Sequence, residues 1–256
     1  MISGVSDVVP RVVLLGASNL VLGWRSLMKA VFDHWHEPLH IMTAHGIGRS
    51  YLASSQFCWR TAPGILECNL WSELAESGRT SPSAALITDL GNDLVYGRTA
   101  AEVLQAASDA AGRLLDVNPA CRIVVTRPPF ESVKSLSQLR YLFFRSVLFP
   151  RCSLSLLEII DQTYELDEGI RQLDGVTVVS QPSEWFGLDP IHIRRRFREF
   201  AFAAFLESWP KETAGLTCFE RVPRRRPRMA TCRVWGRERL CEQPSVSSER
   251  GSVSAW

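Results

Sequence analysis

Short apolar runs alternate with longer helical segments over the first 209 residues, and this alternation limits the fold more than any other feature of the chain. Strands are predicted at residues 11–15, 39–44, 83–89, 122–126 and 176–180. Helices are predicted at 20–35, 65–76, 100–116, 136–149, 154–173 and 193–209. Strands that alternate with helices in this way form a parallel sheet with helices on both faces. The pattern therefore predicts an α/β domain.

The chain changes character after Pro210. Residues 211–256 carry ten Lys/Arg and five Asp/Glu, which leaves a net charge of 2 − 5 = −3 for residues 1–210. This segment has few periodic apolar positions, and its arginines cluster with prolines at 221–228, so it can bury little apolar surface. We therefore predict one domain over residues 1–209 and a basic, Pro/Arg/Ser-rich, mostly disordered tail over 210–256 that is dispensable for folding. No aromatic or groove-reading pattern accompanies the arginines, which does not favour a nucleic-acid partner.

Location and cofactors are predicted from what the sequence lacks. No apolar run is long enough to span a bilayer, and residues 1–10 have neither the basic start nor the cleavage site of a signal peptide. Seven cysteines without a C-x-x-C pair predict reduced thiols in a cytoplasmic protein. The spacing of His34, His36 and His40 does not place three ligands on one face, so no metal site is expected. The sequence leaves the oligomeric state open.

Glycine or polar residues follow four of the five predicted strands. They are Gly16 to Asn19 after the first strand, Gly46 to Ser50 after the second, Gly91 to Asp93 after the third, and Gly187 to His192 ahead of the last helix. The carboxyl ends of parallel strands lie at one edge of a sheet, which is where ligands bind in such folds. We therefore expect these four segments to converge on one site.

The converging residue types are those that acyl transfer requires. A serine hydroxyl needs a base within hydrogen-bond reach, the base needs a carboxylate to orient it, and the oxyanion needs fixed donors. Ser18 supplies the hydroxyl, His192 the base and Asp189 the carboxylate. The predicted oxyanion donors are the N–H groups of Ser18 and Gly48 and the carboxamide of Asn92, with Gly46 as an alternative to Gly48. Taken singly, Ser18 could be a helix N-cap and Asn92 a turn residue.

In these segments the chain resembles the SGNH (GDSL-like) hydrolases, which place Ser in a first block, Gly in a second, Asn in a third and Asp-x-x-His in a last. The matching residues are Ser18, Gly48, Asn92, Asp189 and His192. The resemblance covers residues 10–209 and implies a flavodoxin-like three-layer sandwich around a five-stranded parallel sheet. It also implies serine-dependent hydrolysis of a carboxylic ester, thioester or O-acetyl ester in a small-molecule substrate through an acyl-enzyme, without a cofactor.

Two departures from the family pattern leave an alternative open. Ala17 stands where the family often has Asp, and Gly91 directly precedes Asn92 where a Gly-x-Asn spacing is usual. Ala17 favours the alternative of a catalytically inactive SGNH-like domain that binds a ligand or partner. Other classes fit less well, because the chain has no G-x-S-x-G elbow, no G-x-G-x-x-G fingerprint and no Walker A motif.

Three further features have two interpretations each. The helix at 136–149, with Phe130 and Tyr141, is either an apolar cover of the site or a packed core helix. His45 and Arg49 flank the predicted donor Gly48, and each is either a substrate contact or a turn-surface residue. Asp93 is expected to hydrogen-bond its own turn.

Overall fold

The computed structural model describes residues 9–35, 38–57, 60–76, 82–211, 231–234, 237–240, 246–248 and 251–256. Within these residues the strands are β1 (Arg11–Leu15), β2 (Leu39–Ala44), β3 (Ser55–Phe57), β4 (Arg60–Ala62), β5 (Pro82–Ile87), β6 (Arg122–Thr126), β7 (Thr177–Val179), β8 (Thr231–Val234), β9 (Arg237–Leu240), β10 (Val246–Ser248) and β11 (Gly251–Ala255). The helices are α1 (Ser18–Leu22), α2 (Trp24–His34), α3 (Leu70–Glu76), α4 (Asn92–Val95), α5 (Ala100–Val117), α6 (Phe130–Lys134), α7 (Gln138–Leu148), α8 (Leu156–Arg171) and α9 (Arg198–Phe205). Short 3-10 turns at Ile65–Glu67, Ser183–Trp185 and Arg195–Phe197 complete these elements.

The main sheet confirms the predicted α/β class and extends it. Its strand order is β10-β11-β2-β1-β5-β6-β7, and every pairing in it is parallel except that of β10 with β11. The five predicted strands are β2-β1-β5-β6-β7, which is the flavodoxin-like order 2-1-3-4-5. The sheet therefore has the predicted five strands and two more at the β2 edge.

Helices cover both faces of this sheet because successive strand residues point to opposite sides. In β1, Val13 and Leu15 join the apolar core under α5 and α8, whereas Val12 and Leu14 join the core under α2 and α9. All four side chains are fully buried. Strands buried on both faces have this continuously apolar composition.

Two predicted helices begin or break at different positions in the structure. The segment predicted as one helix at 20–35 is two helices, α1 and α2, which meet at Gly23. The last helix, predicted from residue 193, begins at Arg198 after the 3-10 turn Arg195–Phe197. His192 therefore lies in a loop, several residues before the helix begins.

The prediction of a mostly disordered tail is wrong for the end of the chain. β11 pairs in parallel with β2, placing Gly251 opposite Leu39 and Ala255 opposite Thr43. Val253 is fully buried in the core on one face of the sheet, and Trp256 is buried in the core on the other. Strands β8 and β9 also extend the β3–β4 hairpin into a second, antiparallel sheet. Residues 212–230, 235–236, 241–245 and 249–250 of the tail lie outside the described residues.

Two further findings concern the membrane and the thiols. Among the helices that the structure describes, none is long and apolar enough to cross a membrane. Cys68, Cys121 and Cys152 carry free thiols and are buried. Burial raises the pKa of Cys121 to about 12, which keeps this thiol protonated at neutral pH.

The packing of Trp256 predicts that the end of the chain contributes to stability. Trp256→Ala should lower the free energy of unfolding by about 3 kcal/mol, the usual loss when a buried aromatic side chain is removed. A matched control is Leu157→Ala, because Leu157 is 73% exposed and its loss leaves no cavity. Thermal unfolding of both variants checks the prediction. Equal melting temperatures for the two variants would show that Trp256 does not pack on the core.

Candidate active site

The turn after β1 places Ser18 at the first residue of helix α1. Gly16 is required there, because a Cβ atom at this position would lie 2.6 Å from the Thr88 side chain at the end of the neighbouring strand. Ala17 occupies the N-cap position, and no side chain of the turn caps the helix from it. The Ser18 hydroxyl is therefore available for another partner, and the interpretation of Ser18 as a helix N-cap is wrong.

The structure brings Ser18, His192 and Asp189 into one hydrogen-bonded chain. Ser18 Oγ lies 2.8 Å from His192 Nε2, and His192 Nδ1 lies 2.6 Å from Asp189 Oδ2. The second carboxylate oxygen of Asp189 accepts from the N–H groups of Ile191 and His192 at 3.0 and 3.1 Å. Asp189 thus fixes both the backbone of its own turn and the imidazole ring.

The environment of Asp189 keeps its carboxyl group ionised. Burial raises the pKa of this carboxyl, but the hydrogen bond and charge of His192 and the two backbone N–H groups lower it more, so the net pKa of Asp189 lies below the ordinary value. When the imidazole is neutral, the ionised Asp189 accepts a hydrogen bond from its Nδ1–H group. This tautomer leaves the lone pair of Nε2 facing Ser18.

Asn92 is the first residue of α4, and its amide group has no partner among the described residues. The side chain is 7% exposed, and its Nδ2 atom is buried without a hydrogen bond. A buried unpaired donor costs free energy, so such a group in a native structure needs an explanation. The interpretation of Asn92 as a turn cap does not explain the unpaired donor, because the amide makes no hydrogen bond to the turn. An oxyanion that develops on a bound substrate would explain it.

Gly48 lies on the opposite wall of the same space, in a left-handed conformation (φ +65°) that favours glycine. Its carbonyl oxygen accepts from the Tyr96 hydroxyl at 2.6 Å. Gly46, the alternative donor, does not line the space around Ser18. The geometry therefore favours Gly48 over Gly46.

Asp93 holds the Gly48 loop in place, which corrects the expectation that it bonds its own turn. Its fully buried carboxylate accepts from the Ser50 hydroxyl, from the Tyr51 N–H at 2.9 Å and from the Leu52 N–H at 3.3 Å. Burial raises the pKa of Asp93, and these donors oppose that rise. Asp93 thus ties the start of α4, where Asn92 lies, to the segment that follows Gly48.

His45 and Arg49, which flank the loop, are buried rather than on the surface of the turn, and neither lines the cleft or the recess at Ser18. The His45 ring stacks on Trp24 at 5.2 Å, and both residues are buried. The Arg49 guanidinium donates to the carbonyl oxygens of Pro63 at 3.1 Å, of His45 at 3.4 Å and of Trp256. Arg49, the residue directly after Gly48, therefore binds the terminal segment of the chain.

The sequence reasoning missed two residues that connect the site, Asn19 and Asp89. The Asp89 carboxylate accepts from the N–H groups of Ala17 and Asn19 at 2.8 and 3.0 Å and from the Asn19 amide at 2.7 Å. The Asn19 side chain also donates to the Ile191 carbonyl and accepts from the Ile193 N–H, both at 2.9 Å. Asn19, the residue after Ser18, therefore binds the backbone on both sides of His192.

The conformation of Asp89 fits this role. It is the non-glycine residue with positive φ (+63°) in the part of the chain that the structure describes. Such a conformation costs free energy, is tolerated best by Asn and Asp, and gathers at functional sites. The available signal in the sequence was an acidic residue at the end of a buried strand and an amide directly after the candidate nucleophile.

Two spaces meet at Ser18. A cleft of about 650 Å³ lies on one side, between the Gly48 loop, the β3–β4 hairpin and the segment after α7. A recess of about 70 Å³ lies on the other side. Both are lined by Ser18, Asn92, Val95 and Phe149. The hydroxyl and the unpaired amide therefore lie at the boundary between a large and a small space.

Comparison with known proteins gives structural likenesses only. No protein-family model matches the chain, and no curated protein sequence matches it. One similar structure is a protein from Streptococcus pneumonia provisionally described as a platelet activating factor, with 13% identity, TM-score 0.48 and coverage of 80% of this chain and 86% of that one. A carbohydrate esterase family 3 protein from Talaromyces cellulolyticus has 11% identity, TM-score 0.44 and coverage of 76% and 93%. A protein from Parabacteroides merdae provisionally described as a GDSL-like lipase has 11% identity, TM-score 0.38 and coverage of 79% and 97%.

At these identities the likeness concerns the fold, and the chemistry must follow from this chain's own side chains. The strand order is the flavodoxin-like one that the SGNH resemblance implied, and the four motif segments meet at one sheet edge, as the strand pattern predicted. The predicted flavodoxin-like arrangement of the sheet is therefore confirmed.

The network around Asn19 predicts that this residue positions Ser18 against His192. Asn19→Ala should lower the rate at which Ser18 reacts with a fluorophosphonate by about 100-fold, because a shift of about 1 Å between reacting groups has an effect of this size. Asn118→Ala is the matched control, since the Asn118 side chain also bonds backbone groups but lies far from the site. Both variants should lose about 1–2 kcal/mol of stability, and only Asn19→Ala should lose reactivity. Equal labelling rates would show that Asn19 is structural only.

Proposed function

We propose that this chain is a serine-dependent hydrolase of carboxylic esters, with Ser18 as nucleophile, His192 as general base and acid, and Asp189 as the carboxylate that orients the base. The observation that carries the proposal is the hydrogen-bonded chain from Ser18 Oγ through the His192 ring to Asp189. Ser18 is 5% exposed and lies at the boundary of the cleft and the recess.

The mechanism follows from the distances. His192 Nε2, 2.8 Å from the hydroxyl, takes the proton of Ser18 as the oxygen attacks the ester carbonyl. The resulting imidazolium is stabilised by Asp189 at 2.6 Å. His192 then donates the proton to the departing alcohol, which leaves an acyl group on Ser18. Water activated by the same imidazole releases the acid and restores the hydroxyl.

Three donors are available for the negative charge of the tetrahedral intermediate. They are the N–H groups of Ser18 and Gly48 and the Nδ2 group of Asn92. The N–H groups in the first turn of a helix have no intrahelical partner, and the helix dipole favours negative charge there. The Asn92 amide is already buried and unpaired, so it needs no reorganisation before it binds the oxyanion.

The sizes of the two spaces suggest which part of the ester binds in each. The recess of about 70 Å³ has about a tenth of the volume of the cleft of about 650 Å³. We assign it to a short acyl group. The cleft of about 650 Å³ then receives the alcohol part of the ester, and its wall of backbone and serine side chains can accommodate polar groups. Esters of acetate and similar short acids are the expected substrates.

The alternative, an inactive domain that binds a ligand with the same pocket, rested on Ala17 in place of an acidic residue. In this structure the Ala17 N–H donates to the carboxylate of Asp89, which follows β5, so a carboxylate is present beside the nucleophile turn. This contact supports the catalytic proposal. The inactive domain remains as an outcome of the experiments.

The first experiment tests the nucleophile and base. Ser18→Ala and His192→Ala should each lower hydrolysis of p-nitrophenyl acetate by about three orders of magnitude or more, which leaves the contribution of binding and oxyanion stabilisation. The wild type should hydrolyse the acetate faster than the octanoate if the recess binds the acyl group. A fluorophosphonate should label the wild type at Ser18, and mass spectrometry identifies the labelled residue. Wild-type activity in purified Ser18→Ala, or an unlabelled and inactive wild type, would contradict the proposal.

Asn92 provides a separate test of oxyanion stabilisation. Asn92→Ala should lower kcat by about 10²–10³ with little change in KM, because the amide acts when charge develops. Asn92→Asp should be at least as damaging, since it replaces a donor with a negative charge. The Nδ2 atom has no hydrogen bond to lose, so the melting temperature of Asn92→Ala should stay near that of the wild type. A stable variant with kcat within a few-fold of wild type would remove Asn92 from the mechanism.

A further inference from the structure

Helix α7 presents a stripe of apolar side chains to solvent. Leu139, Phe143 and Val147, spaced four residues apart on one face, are 81%, 61% and 62% exposed, and Leu142 beside them is 37% exposed. Tyr141 is the buried residue of this helix. A helix that is apolar on its outer face requires a covering partner. The sequence left two interpretations of this segment, and the packed core helix is wrong.

The helix is nevertheless fixed in place by polar contacts. The Tyr141 hydroxyl donates to the Leu154 carbonyl at 2.6 Å, and Arg145 donates to the same oxygen at 3.1 Å. Arg140 donates to the carbonyls of Gly187 and Leu188 at 3.0 and 2.8 Å. These contacts bind α7 to the rest of the domain, and the apolar stripe faces solvent. The stripe therefore belongs to an anchored helix and not to a frayed end.

The charged residues of the segment that carries the stripe have one sign. Residues 132–157 contain Lys134, Arg140, Arg145 and Arg151 and no Asp or Glu. The first acidic residues on either side are Glu131 and Glu158, and the latter is engaged in its own helix cap. Apolar side chains on one face with basic side chains around them are the composition of helices that lie on anionic lipid surfaces.

The stripe continues into the cleft. The last residue of α7, Leu148, and the residues that follow, including Phe149 and Arg151, form part of the wall of the large cleft. The Phe149 ring packs edge-on against Tyr96 at 5.7 Å, and the Tyr96 hydroxyl binds the Gly48 carbonyl. An amphiphile held at the stripe would therefore lie next to the opening that leads to Ser18.

We propose that the α7 stripe (Leu139, Leu142, Phe143 and Val147) docks on an anionic lipid surface and places the cleft against it. Binding to the surface is independent of the chemistry at Ser18. The substrate class that follows, an ester carried by an amphiphile in that surface, rests on the proposed function.

Charge also disfavours two other partners for the stripe, a second copy of this chain and residues 212–230 of the chain itself. A second copy docked through the same stripe would place two sets of basic residues against each other, since a two-fold interface joins identical surfaces. Residues 212–230 of this chain, which lie outside the described residues, carry five arginines and two glutamates. Their net charge is therefore positive, like that of the basic residues beside the stripe. A surface of anionic headgroups over an apolar interior complements both properties of α7.

Vesicle binding by the full-length protein tests the proposal. The probes are phosphatidylcholine vesicles with and without about one third phosphatidylglycerol, and co-sedimentation measures binding at low and high salt. The wild type and Ser18→Ala should bind the anionic vesicles equally, and both should bind neutral vesicles more weakly. Phe143→Asp should weaken anionic binding by about tenfold or more. Phe200→Asp is the matched control, because Phe200 is a similarly exposed phenylalanine (64%) next to the core on the opposite face of the sheet.

Each outcome separates the alternatives. Phe143→Asp should hydrolyse soluble p-nitrophenyl acetate at the wild-type rate, so that its loss of vesicle binding is not a loss of fold. Failure of the wild type to bind anionic vesicles, or equal binding by Phe143→Asp, overturns the docking proposal. A wild-type dimer in sedimentation velocity that Phe143→Asp converts to a monomer would assign the stripe to a second copy and also overturns it. If vesicle binding behaves as expected but Ser18 is inert, the docking surface stands and the proposed hydrolase fails.

Discussion

The Asp89 carboxylate is the group on which the geometry of the site depends. It accepts three hydrogen bonds from the Ala17–Asn19 segment, which fixes the turn that carries Ser18 to the end of β5. Asn19 passes this constraint on to the backbone on both sides of His192. The separation of the Ser18 hydroxyl and the His192 ring is thus set by a network that neither residue belongs to. Hydrogen bonds to an ionised group are about twice as strong as neutral ones, which suits Asp89 to this position.

Two further buried charged side chains, Asp93 and Arg49, hold the loop that contains Gly48 on the wall opposite Ser18. Asp93 accepts from the backbone that follows the glycine, and Arg49 donates to three carbonyl oxygens around it. One of those oxygens belongs to Trp256, so strand β11 contributes to the position of a loop that lines the cleft. Gly48, in its left-handed conformation, is thus flanked by segments that buried charged side chains hold in place. The predicted donor and the unexpected strand are in this way parts of one arrangement.

The sequence was sufficient wherever local pattern and topology coincide. The run 11–15 was predictable as a strand from its β-branched, apolar composition, and parallel strands necessarily bring Ser18, Asn92 and His192 to one edge. Asp89 and Asn19 could not be assigned, because their roles depend on distances between segments that are 70 or more residues apart. The segment Gly251–Ala255 has a short, serine-rich sequence that indicates no strand by itself, and it is a strand because the β2 edge is free. The periodicity of 136–149 indicated a helix, but periodicity does not say whether the apolar face is covered.

The position of β11 also has a consequence for how the chain folds. Gly251 pairs with Leu39 across 251 − 39 = 212 residues, and contacts of such separation form late because a long loop must close first. Until then β2, whose Leu39, Ile41 and Met42 side chains are apolar, is an open edge that another unfolded chain could pair with. Once β11 and β10 have added, the sheet ends at β10, a three-residue antiparallel strand. A short edge strand offers few unpaired groups, so the last pairing step replaces an aggregation-prone edge with a protected one.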